Sequence, residues 1–213
     1  MIGAGSGTFT GIVRTFCISE ALKGCTICLM DINQERLDRT YDICTRYVKE
    51  INMDIKFEKT TDRIHALKGA DIVINTVLAT GHGRSVAGWE IADKYGFKFP
   101  GSLHIKHDES FWVNFYQFRF FEELTLDMLK YCEKAWHLMV ANPVLAGTTL
   151  IQRKYPEAKV VGLCHGPDGA NKMVDAMGLG REGFTFQASG PNHFIWLNKA
   201  SHKTATFLKS SMR

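Results

Sequence analysis

Apolar and polar positions along this chain switch repeatedly between a helical and a strand period. Ile12, Val13, Phe16 and Ile18 recur at helical spacing within Thr10 to Ala21, and Lys23-Gly24 closes that segment. Cys25 to Met30 is an apolar run that predicts a strand. Asn33 to Asn52 returns to the helical period through Leu37, Tyr41, Cys44 and Val48. Ile55 to Glu58 alternates as a short strand, and Asp62 to Leu67 reads as a short helix. Ile72 to Thr76 is a continuous apolar strand of the kind buried in a parallel sheet. Strand, helix, strand, helix, strand in succession predicts a doubly wound α/β half-domain.

The second half is less regular. Gly81 to Arg84 reads as a flexible polar loop, Trp89 to Tyr95 as a helix, and Phe97 to His107 as irregular around a Pro100-Gly101 turn. Phe111 to Tyr131 is a long aromatic helix. Trp136 to Ala141 is a further buried strand ending at Asn142-Pro143. Thr148-Thr149-Leu150 opens a helix that Tyr155-Pro156 breaks, and Val160 to Leu163 is the next strand. The pattern predicts an α/β fold, a Rossmann-like doubly wound parallel sheet over residues 1–165. Residues 166–213 are expected to start a second, α+β substrate domain. Asn198 to Arg213 shows no clear period, and Met1-Ile2 is all that remains of a strand before the first glycine motif, so both ends read as cut.

Composition narrows the class. A hydrophobic share of 45% and a charged share of 23% are those of a globular protein with a core. The net charge of +4 does not call for nucleic acid. The aromatic helix could suggest base stacking, but Arg119 and Lys130 are outweighed by Glu109, Glu122, Glu123 and Asp127, so core packing is expected. No apolar run approaches the roughly 18 residues of a membrane span. The six cysteines are scattered, and Cys25-x-x-Cys28 falls in a strand rather than at a helix start, so reduced thiols and a cytoplasmic location are expected.

Candidate chemistry gathers at strand ends. Gly3-Ala4-Gly5-Ser6-Gly7 precedes a helix, where glycines let a backbone approach a pyrophosphate; Thr8 stands in place of the third glycine of G-x-G-x-x-G. Asp31 ends the following strand and can accept hydrogen bonds from a ribose diol or cap the next helix. Asn75 and Thr76 end their strand where nucleotides bind in such sheets, and Asn75, Asn142 and Cys164 share this C-terminal edge. Cys164 and His193 together offer a thiolate and an imidazole that could grip a divalent metal and leave positions open; alternatively they are a core thiol and a buried histidine. His104 and His107, beside Asp108-Glu109 and Phe111-Trp112, either line a cleft or are solvated.

These stretches resemble glycoside hydrolase family 4, the NAD- and metal-dependent glycosidases. The likeness rests on Gly3-Ala4-Gly5-Ser6 with Phe9, on Asp31, on Ala70 to Asn75, on Ala141-Asn142-Pro143-Val144, on Gly162-Leu163-Cys164-His165-Gly166 and on Asn192-His193, and it extends to about Leu197. His107 to Trp112 with Asn192 to Trp196 is most similar to the α-galacturonidase and α-glucuronidase branch.

The resemblance implies hydrolysis by a redox detour, outside the usual two-carboxylate scheme: a sugar hydroxyl is oxidised by bound NAD, the glycosidic bond is eliminated, water adds, and the hydride returns. It implies NAD and Mn2+ or another divalent metal as cofactors, a small-molecule glycoside as substrate, no nucleic-acid or membrane partner, and a homo-oligomeric parent. Gly3, Gly5, Ser6, Phe9, Asp31 and Asn75 would bind the cofactor. Cys164 and His193 would be metal ligands, and Asn142 and Asn192 would contact substrate hydroxyls. Asp108 would reach the cleft, and His165, standing where the phosphoglucosidase branch carries an aspartate, would supply a proton. The family's tyrosine base has no counterpart, because no tyrosine follows Tyr155. The 213-residue chain alone is therefore expected to be inactive. The rival expectations are a lactate- or malate-type dehydrogenase, which uses no metal, and a non-catalytic NAD-binding remnant.

Overall fold

A computed structural model describes residues 1–96, 111–164, 168–190, 195–203 and 205–208. The chain divides into two compact units, Met1–Gly162 and Leu163–Arg213.

The first unit is built on a parallel sheet. Strand β1 (Thr26–Met30) pairs along its whole length with β2 (Lys56–Thr60), from Thr26 opposite Lys56 to Met30 opposite Thr60. Strands β3 (Ile72–Asn75), β4 (Trp136–Met139) and β5 (Val160–Gly162) form a second parallel set in that order. Ile2 joins the two sets, bridging Met30 on one side and Asn75 on the other. Its N–H donates to the Ile74 carbonyl at 2.8 Å, and its carbonyl accepts from Thr76 N–H at 3.0 Å. The resulting order, β2-β1-Ile2-β3-β4-β5, is the doubly wound order with its middle strand reduced to one residue.

The helices follow the expected connections. Helix α1 (Gly7–Cys17) leads to β1, and α2 (Gln34–Glu50) connects β1 to β2. The α2 start is fixed by Asn33, whose side chain accepts Arg36 N–H at 2.9 Å, so Asn33 and not Asp31 is the cap. Helix α3 (Arg63–Leu67) leads to β3 and is capped by Asp62. Helices α4 (Gly81–Lys94) and α5 (Phe111–Tyr131) lie between β3 and β4, and α6 (Val144–Lys154) between β4 and β5.

Gly81 to Arg84 is thus the first turn of a helix, where a loop was expected. Local propensity argued for a loop; tertiary contact overrides it, with the Arg84 guanidinium stacked 4.5 Å from the Tyr116 ring centroid on α5.

The core separates along the sheet. Phe9, Val13, Leu29, Leu37 and Cys44 pack where α1 and α2 meet β1. Leu67, Val73, Leu124 and Met128 pack α3 and α5 onto β3, and Phe121, Met139 and Ile151 extend this to α6. Gly147 lets α5 and α6 approach: a Cβ there would lie 2.5 Å from the Phe121 ring.

Strands β3 and β4 alternate, which their apolar sequence concealed. Val73, His137 and Met139 are buried, whereas Ile72 and Trp136, paired across the strands, are 51% and 48% exposed.

The second unit carries α7 (Asp168–Ala176) and an antiparallel meander of β6 (Phe184–Ser189), β7 (Trp196–His202) and β8 (Ala205–Leu208). The stretch from Asn198 was expected to lack regular structure. Its polar sequence hides a strand that its partners define, with Thr185 and Ser201 hydroxyls hydrogen-bonded at 2.7 Å across the ladder.

Candidate functional site

The glycine loop closes onto the C-terminal end of β1. Gly3 and Ala4 donate their N–H groups to the Met30 carbonyl, each at 2.9 Å. Gly5 donates to Asp31 Oδ2 at 2.8 Å, while Asp31 Oδ1 accepts Asn33 N–H at 2.9 Å. Ser6 N–H turns back to the Gly3 carbonyl, and Phe9 N–H to the Ser6 carbonyl. Phe9 itself is fully buried, so it anchors the loop in the core under α1.

The three glycines differ in what they make room for. A Cβ on Gly5 would lie 2.8 Å from Asp31 Oδ2 and 2.8 Å from Arg36 Cβ, so Gly5 serves the protein's own packing. Gly3 has φ +85° and would meet Val77 Cγ2 at 2.9 Å. Around Gly7 there is nothing within 4 Å, and it opens α1 at the cleft wall. The helix N-terminus there favours an anion.

This loop borders a cleft of about 1050 Å³, at the upper end of ligand-site volumes and roomy enough for a dinucleotide. Gly3 to Gly7 (with the exception of Ala4), Asp31, Arg36 and Arg63 line one part of it, and Thr76 to Ala79 another. Each oxygen of Asp31 holds one backbone N–H, and a carboxylate oxygen can accept more than one bond, so capacity for a ribose diol is retained. Arg63 is fixed at the rim by Asp127 at 2.5 Å and by the Phe120 ring at 5.8 Å.

Asn75 is placed differently from its neighbour. Its side chain is fully buried and accepts Val77 N–H at 3.0 Å, away from the cleft lining, whereas Thr76 lines the cleft. The Asn75 carbonyl accepts Val140 and Ala141 N–H at 3.0 and 2.9 Å, tying the β4 end to β3 just before half-buried Asn142. In the second unit, Cys164 is half-buried two residues past β5. Asp108, His165, Asn192 and His193 lie outside the described residues, as do His104 and His107. Among the described residues no three His, Cys, Asp or Glu side chains converge to hold a metal. Burial pushes the Cys25 and Cys28 thiols up, the reverse of what a redox pair requires.

Arg36 and Arg63 at this cleft, and Gln117 behind its Val77–Ala79 wall, were not anticipated. Gln117 carried a signal: it falls on the buried stripe of α5, seven residues before Leu124 and four before Phe121, and it is 1% exposed. The arginines carried none, since solvated helix faces are full of such residues.

The sequence matches the family described as Family 4 glycosyl hydrolase over residues 1–179. The chain belongs to this family. It is 30% identical over 199 residues to an α-galactosidase of Bacillus subtilis (strain 168), covering 92% of this chain and 46% of that protein. It is 26% identical over 220 residues to an α-galacturonidase of Thermoanaerobacter italicus, covering 95% and 45%. Among solved structures it resembles the 6-phospho-β-glucosidase of Thermotoga maritima, determined with manganese, NAD+ and glucose-6-phosphate. The TM-score is 0.83 at 22% identity over 96% of this chain and 49% of that one, a likeness of fold. This family 4 chain spans about half the length of the curated relatives it matches. Among its described residues no helix is long and apolar enough to cross a membrane.

Proposed function

We propose that this chain is the dinucleotide-binding half of a glycosidase that cleaves O-glycosyl bonds of α-glycosides, α-uronides among them, by an NAD-dependent route. The observation that carries the reading is the cleft in which the open first turn of α1 at Gly7 and the Asp31 carboxylate border one space, in a chain of family 4. NAD, when bound, supplies a reversible hydride acceptor that oxidises a sugar hydroxyl and acidifies the neighbouring C–H. The chain's own residues hold it: the α1 N-terminus takes the pyrophosphate, and Asp31 accepts from the ribose hydroxyls.

Asn142 and Asn192 are assigned to substrate hydroxyls, Asp108 to the cleft, and His165 to donating a proton to the departing oxygen. Cys164 and His193 are the assigned donors for a divalent metal, which would polarise the sugar's oxygens as a Lewis acid. A thiolate beside an imidazole suits a borderline ion at least as well as manganese. The 213-residue chain alone is proposed to bind cofactor and turn over no substrate, because no tyrosine follows Tyr155 to serve as the family's base.

The test is calorimetric titration of the chain and of Cys164→Ser with NAD, with and without manganese. The reading expects micromolar NAD binding in both and manganese binding only in the unsubstituted chain. Absence of NAD binding sinks it; NAD binding with no manganese binding moves the assignment to a plain dehydrogenase-like domain. Turnover of an α-galacturonide by the chain alone overturns the inactivity.

A further inference from the structure

We infer that Gln117 is a positioning residue for the cofactor cleft, acting through the loop between β3 and α4. Its side-chain amide uses both ends on that loop: Oε1 accepts Ala79 N–H at 2.9 Å, and Nε2 donates to the Val77 carbonyl at 2.8 Å. The two bonds bracket Leu78. Val77, Leu78 and Ala79 all line the cleft, and Gln117 itself does not.

The loop is also tied from the sheet and from α4: Val77 N–H donates to Asn75 Oδ1 at 3.0 Å, and the Leu78 carbonyl accepts Gly81 N–H at 3.1 Å. Its first residue, Thr76, is held from the other side by the Ile2 and Gly3 carbonyls, at 3.2 and 3.1 Å. Thr80, at the α4 N-cap, makes no capping bond with its side chain. From α5, forty residues further along the chain from Val77, the Gln117 amide supplies the ties to the Val77 carbonyl and the Ala79 N–H, and so helps set how far this backbone stands from Gly3. That spacing is already tight, since a Cβ on Gly3 would come within 2.9 Å of Val77 Cγ2. A shift of Val77 in either direction changes the width of the cleft at the glycine loop. Gln117 is 1% exposed, and a buried amide with both ends satisfied is rigid in a way an apolar side chain is not.

The inference rests on the reading of this cleft as the NAD site, and the test separates the two. NAD would be titrated calorimetrically into the unsubstituted chain, Gln117→Met, Gln117→Glu and Thr125→Val. Gln117→Met keeps the length and loses both bonds; Gln117→Glu keeps the acceptor for Ala79 N–H and loses the donor. Thr125→Val removes a buried hydroxyl bond to the Phe121 carbonyl on the same helix, away from the loop. The expected result is an NAD affinity weaker by about tenfold in Gln117→Met, intermediate in Gln117→Glu, and within about twofold of the unsubstituted chain in Thr125→Val. Thermal unfolding recorded alongside is expected to show all three variants less stable, so stability alone does not order them.

If Gln117→Met does not fold, Gln117→Glu against Thr125→Val decides. Unchanged affinity in the Gln117 variants, or an equal loss in Thr125→Val, overturns the inference. If the unsubstituted chain binds no NAD, the cofactor reading fails by itself. Amide exchange then tests the positioning role: exchange at Ala79 faster in Gln117→Met than in Thr125→Val supports it, and equal exchange overturns it.

Discussion

The carboxylate of Asp31 accepts the Gly5 backbone N–H at 2.8 Å, which makes the glycine loop and the end of β1 one hydrogen-bonded unit. Gly5 and Gly7 should therefore answer differently to the same substitution. In Gly5→Ala the new methyl meets Asp31 Oδ2 and Arg36 Cβ, each at 2.8 Å, and must displace one of them, at a cost of about 1–3 kcal/mol. In Gly7→Ala nothing lies within 4 Å, and stability should hold or rise by up to about 1 kcal/mol, while the methyl enters the space proposed for pyrophosphate. Urea unfolding and NAD titration of both variants check this. The expected pattern is a stability loss for Gly5→Ala and a binding loss with intact stability for Gly7→Ala.

Asp31→Asn should separate charge from shape. The asparagine oxygen can still accept one backbone N–H, from Gly5 or Asn33, but the amide nitrogen cannot accept the other. The expected outcome is a stability loss of about 1 kcal/mol and an NAD affinity weaker by roughly tenfold. Equal NAD affinity in calorimetry would remove Asp31 from the ribose site.

The sheet and the glycine loop were legible in the sequence because short-range patterns encode them. The apolar runs Cys25 to Met30 and Ile72 to Thr76 placed β1 and β3 to within a residue, and the pattern of Phe111–Tyr131 gave that helix to its ends. What escaped is what only distant contacts determine. Helix α4 starts in Gly81-His82-Gly83 because α5 supports it, and β7 forms from Asn198-Lys199 because β6 and β8 flank it. The direction of one side chain also escaped: Asn75 and Thr76 sit at the strand's edge as expected, and Thr76 lines the cleft, but the Asn75 side chain turns back to Val77. Gln117 was invisible as a clamp, since its partners lie 38 and 40 residues away.

Gly147 sets the distance between α6 and its neighbours. In Gly147→Ala the methyl would lie 2.5 Å from Phe121 Cε2 and 2.8 Å from Met139 Sδ; the first is a ring packed in the core and cannot simply swing away. The expected loss is about 1–3 kcal/mol, seen as a lower urea midpoint with an unchanged slope. Gly180→Ala, where nothing lies within 4 Å, should leave the midpoint nearly unmoved in the same experiment.

Stability should climb with pH from about 4 to 8 in two separable steps. His137 is 2% exposed with neither ring nitrogen hydrogen-bonded among the described residues, and burial pulls its pKa from 6.5 to about 4. The cavity beside it is also lined by Cys132, Glu133 and Lys159. The Met1 ammonium donates to the Cys28 carbonyl inside the sheet, and burial lowers its pKa from 8.0 to about 6. For both groups the native state stays neutral where the unfolded chain takes up a proton. Stability is therefore complete above the unfolded value and is lost as pH falls toward the folded one: from 8 to 6 for Met1, and from 6.5 to 4 for His137. Each step is worth on the order of 1–3 kcal/mol. Acetylating Met1 removes the titration while leaving an N–H for Cys28, and should flatten the upper step alone. His137→Leu should flatten the lower step alone. Urea midpoints measured from pH 4 to 8.5 on the three proteins read both steps, and a profile that neither change alters would refute the burial of both groups.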